Sequence, residues 1–519
     1  MAEPRGSGGA RPPEGEERLS ALLTNANAIR AVASAVEGTL GPKGLNCMLI
    51  DTLGDVTITN DGSTILDKIE VSHPAARLLI HAAKAQEREV GDGTTTTTLL
   101  ANALIQAAVH HVSRGVPVTR ILEGMRAGIT RALEVITTLA RRPESLDDTL
   151  LRQAAYVAGR EHADIADLVV QAARLIGRET LLDPHYRLAE RVVAQEGAES
   201  AVIQGVVIRK ERMNRQMPAH LTDARVLVID DALEPEALSE EALATEAGFN
   251  RFLQVQEEFR QGLRTTLQAG VRCVVVERAI DPVAEELLTE AGALAVRRVA
   301  GSDLSSIAEH CGARPVKRTA LKRSPQELAA VLGFAAEVRA DERRGCLFVV
   351  GGTGKPVATI LVGASTREVR DERERIARDA AAALQAVVVG GAVPGGGSVE
   401  IAAARAVQAL REELRGMAAY GADCVAEALK RPLMQIVTNA GFNPLEKVED
   451  VTAAQAARGC PSLGIDCDSG EVREMGEAGV VDPFPVKQQA LRTAFEVAEA
   501  ILRIDTIIKK RPEPETAGE

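Results

Sequence analysis

From Asn25 onward the apolar residues Ile29, Val32, Val36 and Leu40 recur at helical spacing, and Gly41-Pro42 stops the run. Cys47–Asp51 and Asp55–Thr59 then read as two short strands around a Leu53-Gly54 turn. Helical segments start near Ser63 and at His73-Pro74, and a longer apolar helix begins beyond Val90 and includes Leu99 to Ala108. The pattern stays helical from Thr119 to about Ala140, where Arg141-Arg142-Pro143-Glu144-Ser145 breaks it and marks a boundary. Leu146 to Ile176 is again helical, followed by mixed short strands to about Gly205.

Arg225–Asp230 and Val271–Glu277 read as buried strands, and Ala293–Val299 less clearly so. The helical stretches between them make an α/β pattern. Glu234–Glu258 interrupts that pattern and holds Phe249 and Phe252, with Phe259 just beyond. It reads either as an amphipathic arm that seals against a neighbour or as a long loop packed on its own domain. Gly351-Gly352-Thr353-Gly354-Lys355 lies between two strand-like runs and fails the GxxxxGK[ST] spacing, with Pro356 where Ser or Thr is needed. It predicts a hairpin turn. Glu368–Val389 predicts one long helix, then a Gly-dense loop from Gly390 to Gly397, a helix Ser398–Gln408, and a last helix with Ala490, Ala494, Val497 and Ile501 on one face.

Composition narrows the class. The 519 residues suit about three domains, and 45% hydrophobic content supplies large cores. A net charge of −12 argues against nucleic acid as the main partner. Cys47, Cys273, Cys311, Cys346, Cys424, Cys460 and Cys467 are scattered without CxxC spacing, which points to reduced thiols in a cytoplasmic protein. Met1–Glu17 reads as a loose tail rather than a signal peptide, Arg511–Glu519 as a disordered tail, and no apolar run reaches the roughly 18 residues of a membrane span.

The candidate chemistry centres on Val90-Gly91-Asp92-Gly93 and the five threonines that follow. A Gly-Asp-Gly turn opening a helix leaves backbone N–H groups pointing outward, an arrangement that holds phosphate, and Asp92 suits a hard cation such as Mg²⁺. An ordinary capped helix with a β-branched start is the alternative. Asp61 at a strand-to-helix junction is either an N-cap or a functional carboxylate. Asp379, the last charge before an apolar stretch, is either an odd surface residue or a functional one. The Gly390–Gly397 loop permits close backbone approach to a ligand or serves as a hinge. Asp482 is placed after a strand. His110-His111 has no further ligand at suitable spacing and reads as structural.

Taken together, these segments resemble the chaperonins, most closely the thermosome-like (group II) kind with a built-in lid. The likeness rests on Thr39 through Gly44, Gly54 through Gly62, His73-Pro74-Ala75-Ala76, Val90 through Thr96, Gly395-Gly396-Gly397 and Val480 through Lys487, in that order over nearly the whole chain. It implies a multidomain fold with a mainly α-helical equatorial domain (1–140 and 395–519), an α+β intermediate domain (141–207 and 363–394) and an α/β apical domain (208–362). The helical protrusion falls at about 234–260.

By the same likeness, Thr39, Leu40, Gly41 and Pro42, with Asn60 and the Gly93-Thr94-Thr95-Thr96 turn, cradle the phosphates of ATP, and Asp92 holds Mg²⁺. Asp61 and Asp379 orient and activate the attacking water. Gly396 lies against the nucleotide, Asp482 reaches the ribose, and Asp466 is a weaker candidate at the base end. The implied activity is ATP hydrolysis coupled to the folding of enclosed, unfolded polypeptides in a cytoplasmic double ring of eight subunits each. No separate co-chaperonin, nucleic acid or membrane takes part. Arg160 falls where such proteins carry a lysine near the γ-phosphate, and its fork geometry differs from a point charge. This departure, with the Thr97-Thr98 extension, points to a bacterial member (group III). The competing readings are a non-hydrolysing assembly or binding protein and, last, a small-molecule kinase without an evident acceptor site.

Overall fold

The computed structural model describes residues 14–52, 54, 56–237, 239 and 245–506. Leu53 and Asp55 of the first turn, part of the Glu234–Glu258 insertion and the C-terminal tail expected at Arg511–Glu519 lie outside the described residues, as do residues 1–13. The chain divides into two units, Met1–Ala163 with Asp379–Glu519, and Asp164–Arg378.

The first unit is largely helical. Its N-terminal part holds helices Glu14–Val36, Gly62–Lys68, Pro74–Val90, Thr94–Val112, Val118–Thr138 and Thr149–Ala158. The first helix starts at Glu14, inside the expected tail, because the Leu22, Ala26, Ile29 face has a core to bury against. Thr94–Val112 is apolar around most of its circumference, so it must be surrounded. It packs against Glu14–Val36, Pro74–Val90, Ala419–Asn439 and Phe484–Leu502, leaving Leu99, Leu104 and Ile105 at 1% exposure or less. Strands β1 (Cys47–Ile50) and β2 (Val56–Thr59) pair antiparallel with Met48 opposite Ile58. The helical stretch expected over Leu146–Ile176 consists of two helices, Thr149–Ala158 and Ala163–Ile176. Between them Arg160 and Glu161 adopt φ of 51° and 64°, left-handed conformations that end helical hydrogen bonding.

The second unit is built on one eight-stranded mixed sheet. Its strands are β3 (Val192–Glu196), β4 (Ala201–Ile208), β5 (His220–Ile229), β6 (Val271–Val276), β7 (Leu294–Val296), β8 (Gly333–Asp341), β9 (Cys346–Gly352) and β10 (Ala358–Ala364), in the order β3-β10-β4-β9-β8-β5-β6-β7. Only β5, β6 and β7 form the expected parallel α/β run, with helices Glu246–Gln268 and Pro282–Glu290 as crossovers. Val226, Val228 and Val275 enter one core and Leu227, Ile229 and Val274 the other, which is why these strands read as unbroken apolar runs. The Gly351–Lys355 segment is not a hairpin turn: β9 and β10 are separated by β4, to which both are antiparallel. The loop instead lies on the end of helix Gly301–Cys311, where Gly354 N–H donates to the His310 carbonyl (2.9 Å) and Gly352 N–H to His310 Nε2 (3.0 Å). In helix Glu246–Gln268, Phe259 is buried and Phe249 is 53% exposed. Along this helix Val255 and Phe259 thus pack on their own unit, whereas Phe249 and Leu253 stay exposed.

The chain then returns through helix Arg367–Gly390, whose residues from Asp379 onward belong to the first unit. Strand β11 (Ala392–Pro394) leads into helix Ser398–Arg411, followed by Ala419–Asn439, Pro444–Arg458, strands β12 (Leu463–Ile465), β13 (Val472–Glu474) and β14 (Val481–Pro483), and helix Phe484–Leu502. Asp482 sits within β14, opposite Val393 of β11, rather than after a strand. On the last helix Ala490, Ala494, Val497 and Ile501 are all buried, as their spacing predicts.

Helices Val118–Thr138 and Ala419–Asn439 cross with no room for a side chain: a Cβ on Gly124 would lie 1.8 Å from the Ala418 carbonyl oxygen, and one on Gly421 2.1 Å from that of Ile121. Gly421→Ala is expected to destabilise the first unit by about 1–3 kcal/mol through overpacking. A lowered thermal midpoint checks this, with Gly38→Ala, which meets nothing within 4 Å, as the unchanged control.

Candidate active site

Two left-handed glycines shape the central turn. Gly91 (φ 78°) ends helix Pro74–Val90, and Gly93 (φ 94°) opens helix Thr94–Val112, conformations that cost other residues a steric penalty. Asp92 between them therefore leaves one helix C-terminus and stands at the N-terminus of the next. No side chain caps that second helix, so the first-turn N–H groups of Thr94, Thr95 and Thr96 have no acceptor within the helix. Gln86 braces the turn, its Nε2 donating to the carbonyls of Asp92 (3.2 Å) and Val486 (3.3 Å).

Three more segments close on this turn. A Cβ on Gly62 would lie 2.2 Å from Thr95 Oγ1, so the Asn60-Asp61-Gly62 junction is pressed against the threonines. The Asp61 carboxylate is held there as an N-cap, accepting from Ser63 N–H (3.3 Å), Thr64 N–H (2.9 Å) and Thr64 Oγ1 (2.6 Å). The capping reading is thus met, and it also fixes where the carboxylate points. On the other side a Cβ on Gly91 would lie 2.5 Å from Ala382 Cβ, one helical turn beyond Asp379 and on its face. Gly159 lies against Ala380, while Arg160, next in the chain, donates from Nη1 to Asn60 Oδ1. The strained Arg160-Glu161 pair, costing about 1 kcal/mol or more per residue, thereby links the Asp61 junction to the helix carrying Asp379.

A further group comes from both chain ends. Thr39 ends a 3₁₀ turn, its Oγ1 donating to the Val36 carbonyl (2.8 Å), and the Leu40 carbonyl accepts from Asn439 Nδ2 (2.8 Å). Gly41 (φ 86°) lies against Ile436, Pro42 is exposed, and Lys43 pairs with Asp468 while Glu161 adds to its electrostatic surroundings. Asp466 accepts from Asp468 N–H (2.8 Å), Ser469 N–H (3.3 Å) and Arg473 Nη1 (3.3 Å), so its carboxylate organises the β12–β13 turn. Gly396 (φ 64°) lies against Met475, and the neighbouring Gly395 leaves space for the Asp482 carboxylate.

The site is dense in acids. Asp92 opens to solvent at its rim yet is crowded by protein, and that desolvation pushes its pKa above the ordinary carboxylate range. The Gly93 N–H opposes the shift, Asp482 and Asp61 add repulsion, and Lys487 relieves it. Desolvation likewise raises Glu87, which accepts from Ser63 and feels Asp61, Asp67 and Asp92. Burial alone would lower Lys487, but Asp482 and Glu400 hold it well above the usual lysine value. An acid-rich cleft with one buried ammonium and free helix N–H groups suits a polyanion brought in with a divalent cation. Glu87, Glu400 and Lys487 were not singled out in sequence: Lys487 lies inside the Val480–Lys487 motif, but its role depends on partners that spacing does not reveal. His111 stacks on Tyr420 (4.9 Å between centroids), and among the described residues no cluster of His, Cys, Asp and Glu forms a metal site by itself.

Residues 32–512 match the TCP-1/cpn60 chaperonin family. The chain is 33% identical to a thermosome subunit of Pyrococcus abyssi, over 98% of this chain and 95% of that protein. It is 34% identical to thermosome subunit alpha of Archaeoglobus fulgidus, over 98% and 97%. A crystal structure of a group III chaperonin in the open state superposes with a TM-score of 0.85 at 42% identity, covering 95% of this chain and 100% of that one. From the nucleotide-type cleft assembled by both chain ends to these likenesses over nearly its full length, the chain belongs to the TCP-1/cpn60 chaperonin family.

Proposed function

We propose that this chain is a subunit of an ATP-hydrolysing chaperonin of the lid-bearing, group III type. Two stacked rings, eight subunits each, would bind unfolded polypeptides, enclose them without a separate co-chaperonin and act in the cytoplasm. The observation that carries the reading is the meeting of Asp61, Asp92, Asp482 and the helix bearing Asp379 around one glycine-framed turn. In this reading residues 1–140 and 395–519 are equatorial, 141–207 and 363–394 intermediate, and 208–362 apical, with the exposed Phe249 end of helix Glu246–Gln268 in the lid.

The roles follow from the chemistry of each group. The N–H groups of Thr94, Thr95 and Thr96 receive phosphate oxygens, with Thr39 to Pro42 and Asn60 lining the approach. Asp92 is the carboxylate that would hold Mg²⁺, and the repulsion it feels from Asp61 and Asp482 is the feature that fits a cation there. Mg²⁺ when bound supplies charge neutralisation across the phosphates. Asp61, oriented by its cap bonds, and Asp379 orient and activate the attacking water, and one of the two carboxylates takes its proton. Arg160, now on Asn60, is within the loop that meets the γ-phosphate, Gly396 lies against the nucleotide, Asp482 takes the ribose and Asp466 supports the base end.

Asp379→Ala is expected to leave ATP affinity essentially unchanged while phosphate release falls by about 10²–10⁴-fold. Normal release in that variant removes Asp379 from the mechanism. Asp92→Asn is expected to abolish the Mg²⁺ dependence of nucleotide binding, read by calorimetry with and without chelator. An intact dependence sinks the assignment of Asp92.

A further inference from the structure

Lys487 is a feature of this cleft that the roles above leave unused. Its Nζ lies 2.7 Å from Glu400 Oε1 and 2.8 Å from Asp482 Oδ2, so a single ammonium holds two carboxylates from different elements. The side chain of Glu400 is 3% exposed and that of Lys487 12%, whereas Asp482 keeps 23% and faces outward. Glu400 Oε2 has no hydrogen-bond partner among the described residues, so Lys487 is what compensates its buried charge. Glu400 therefore anchors Lys487, and Lys487 in turn fixes one oxygen of Asp482. The other side of that carboxylate is backed by Gly395, where a Cβ would approach Oδ1 to 3.2 Å. Asp482 is thus aimed by a two-step chain, from Glu400 through Lys487, that ends at the open cleft.

We infer that Lys487 is a positioning residue that sets the preference of the site for a ribose bearing its hydroxyls, by holding Asp482 in the orientation that accepts from them. The inference rests on the nucleotide reading above. A Lys487 that only neutralised buried Glu400 would be dispensable once Glu400 is neutral, whereas one that aims Asp482 would not.

The test compares the full-length protein with Asp482→Asn and with the double variant Lys487→Met/Glu400→Gln, measuring Kd for ATP and for 2′,3′-dideoxy-ATP in Mg²⁺. The expected result is an ATP preference of about tenfold or more in the parent, the worth of a charge-assisted hydrogen bond, lost in both variants. A double variant that keeps the preference which Asp482→Asn loses overturns the inference and leaves the ribose role of Asp482 standing. A preference kept in Asp482→Asn, or absent from the parent, overturns both. Should the double variant not fold, Lys487→Arg keeps the charge but not its position. A severalfold smaller preference is expected there, and an unchanged one overturns the inference.

Discussion

The structure depends on backbone approaching backbone and side chain so closely that only hydrogen fits. At Gly62 the neighbour is Thr95 Oγ1, at Gly91 it is Ala382, and at Gly93 it is Gln86 and Val486. The contacts with Thr95, Ala382 and Val486 join segments far apart in the chain, and all of them converge on the turn that carries Asp92. A methyl group at any of these points would force its neighbour to shift, and at Gly91, where the neighbour is Ala382 Cβ with no rotamer to change, the backbone itself would have to move. Close packing at glycine is thus what converts distant carboxylates into one site.

Gathering those carboxylates has an electrostatic cost. Glu400 and Asp482 share the Lys487 ammonium, and desolvation, with smaller repulsion from neighbouring carboxylates, raises Asp92 and Glu87. Local stability is not optimised here, as expected where charge is held ready for a ligand rather than balanced within the protein. The strained Arg160-Glu161 pair belongs to the same economy, because its left-handed backbone turns Arg160 onto Asn60. Away from the cleft the rules are ordinary: apolar helix faces, a capping box at Ser324 and Glu327, and buried strands with continuous aliphatic runs.

The second unit shows what nesting does to topology. Its sheet takes β3 and β10 as neighbours although most of the unit lies between them in sequence, so the entering and leaving strands run side by side at one edge. The parallel β5–β7 part is local in sequence. In the antiparallel part β8 and β9 form a local hairpin, while β4 pairs with β9 and β5 with β8 across long separations.

The sequence by itself determined the elements whose partners are internal or nearby. Helical periodicity marked the helices around Ile29, Leu99 to Ala108, Thr119 to Ala140, Glu368 to Val389 and Ala490 to Ile501, apolar runs marked β5 and β6, and the Gly-Asp-Gly turn with its threonines marked a helix start. Motif order pointed to the family. Only the tertiary structure decided the break at Gly159–His162, the separation of β9 from β10 by β4, and the capping bonds that orient Asp61. It alone brought Glu400 to Lys487, 87 residues on, and Arg160 to Asn60 across 100. The reason is physical: periodicity reports that a face is buried but not what covers it, and a charge acquires its role from the partner that folding places beside it.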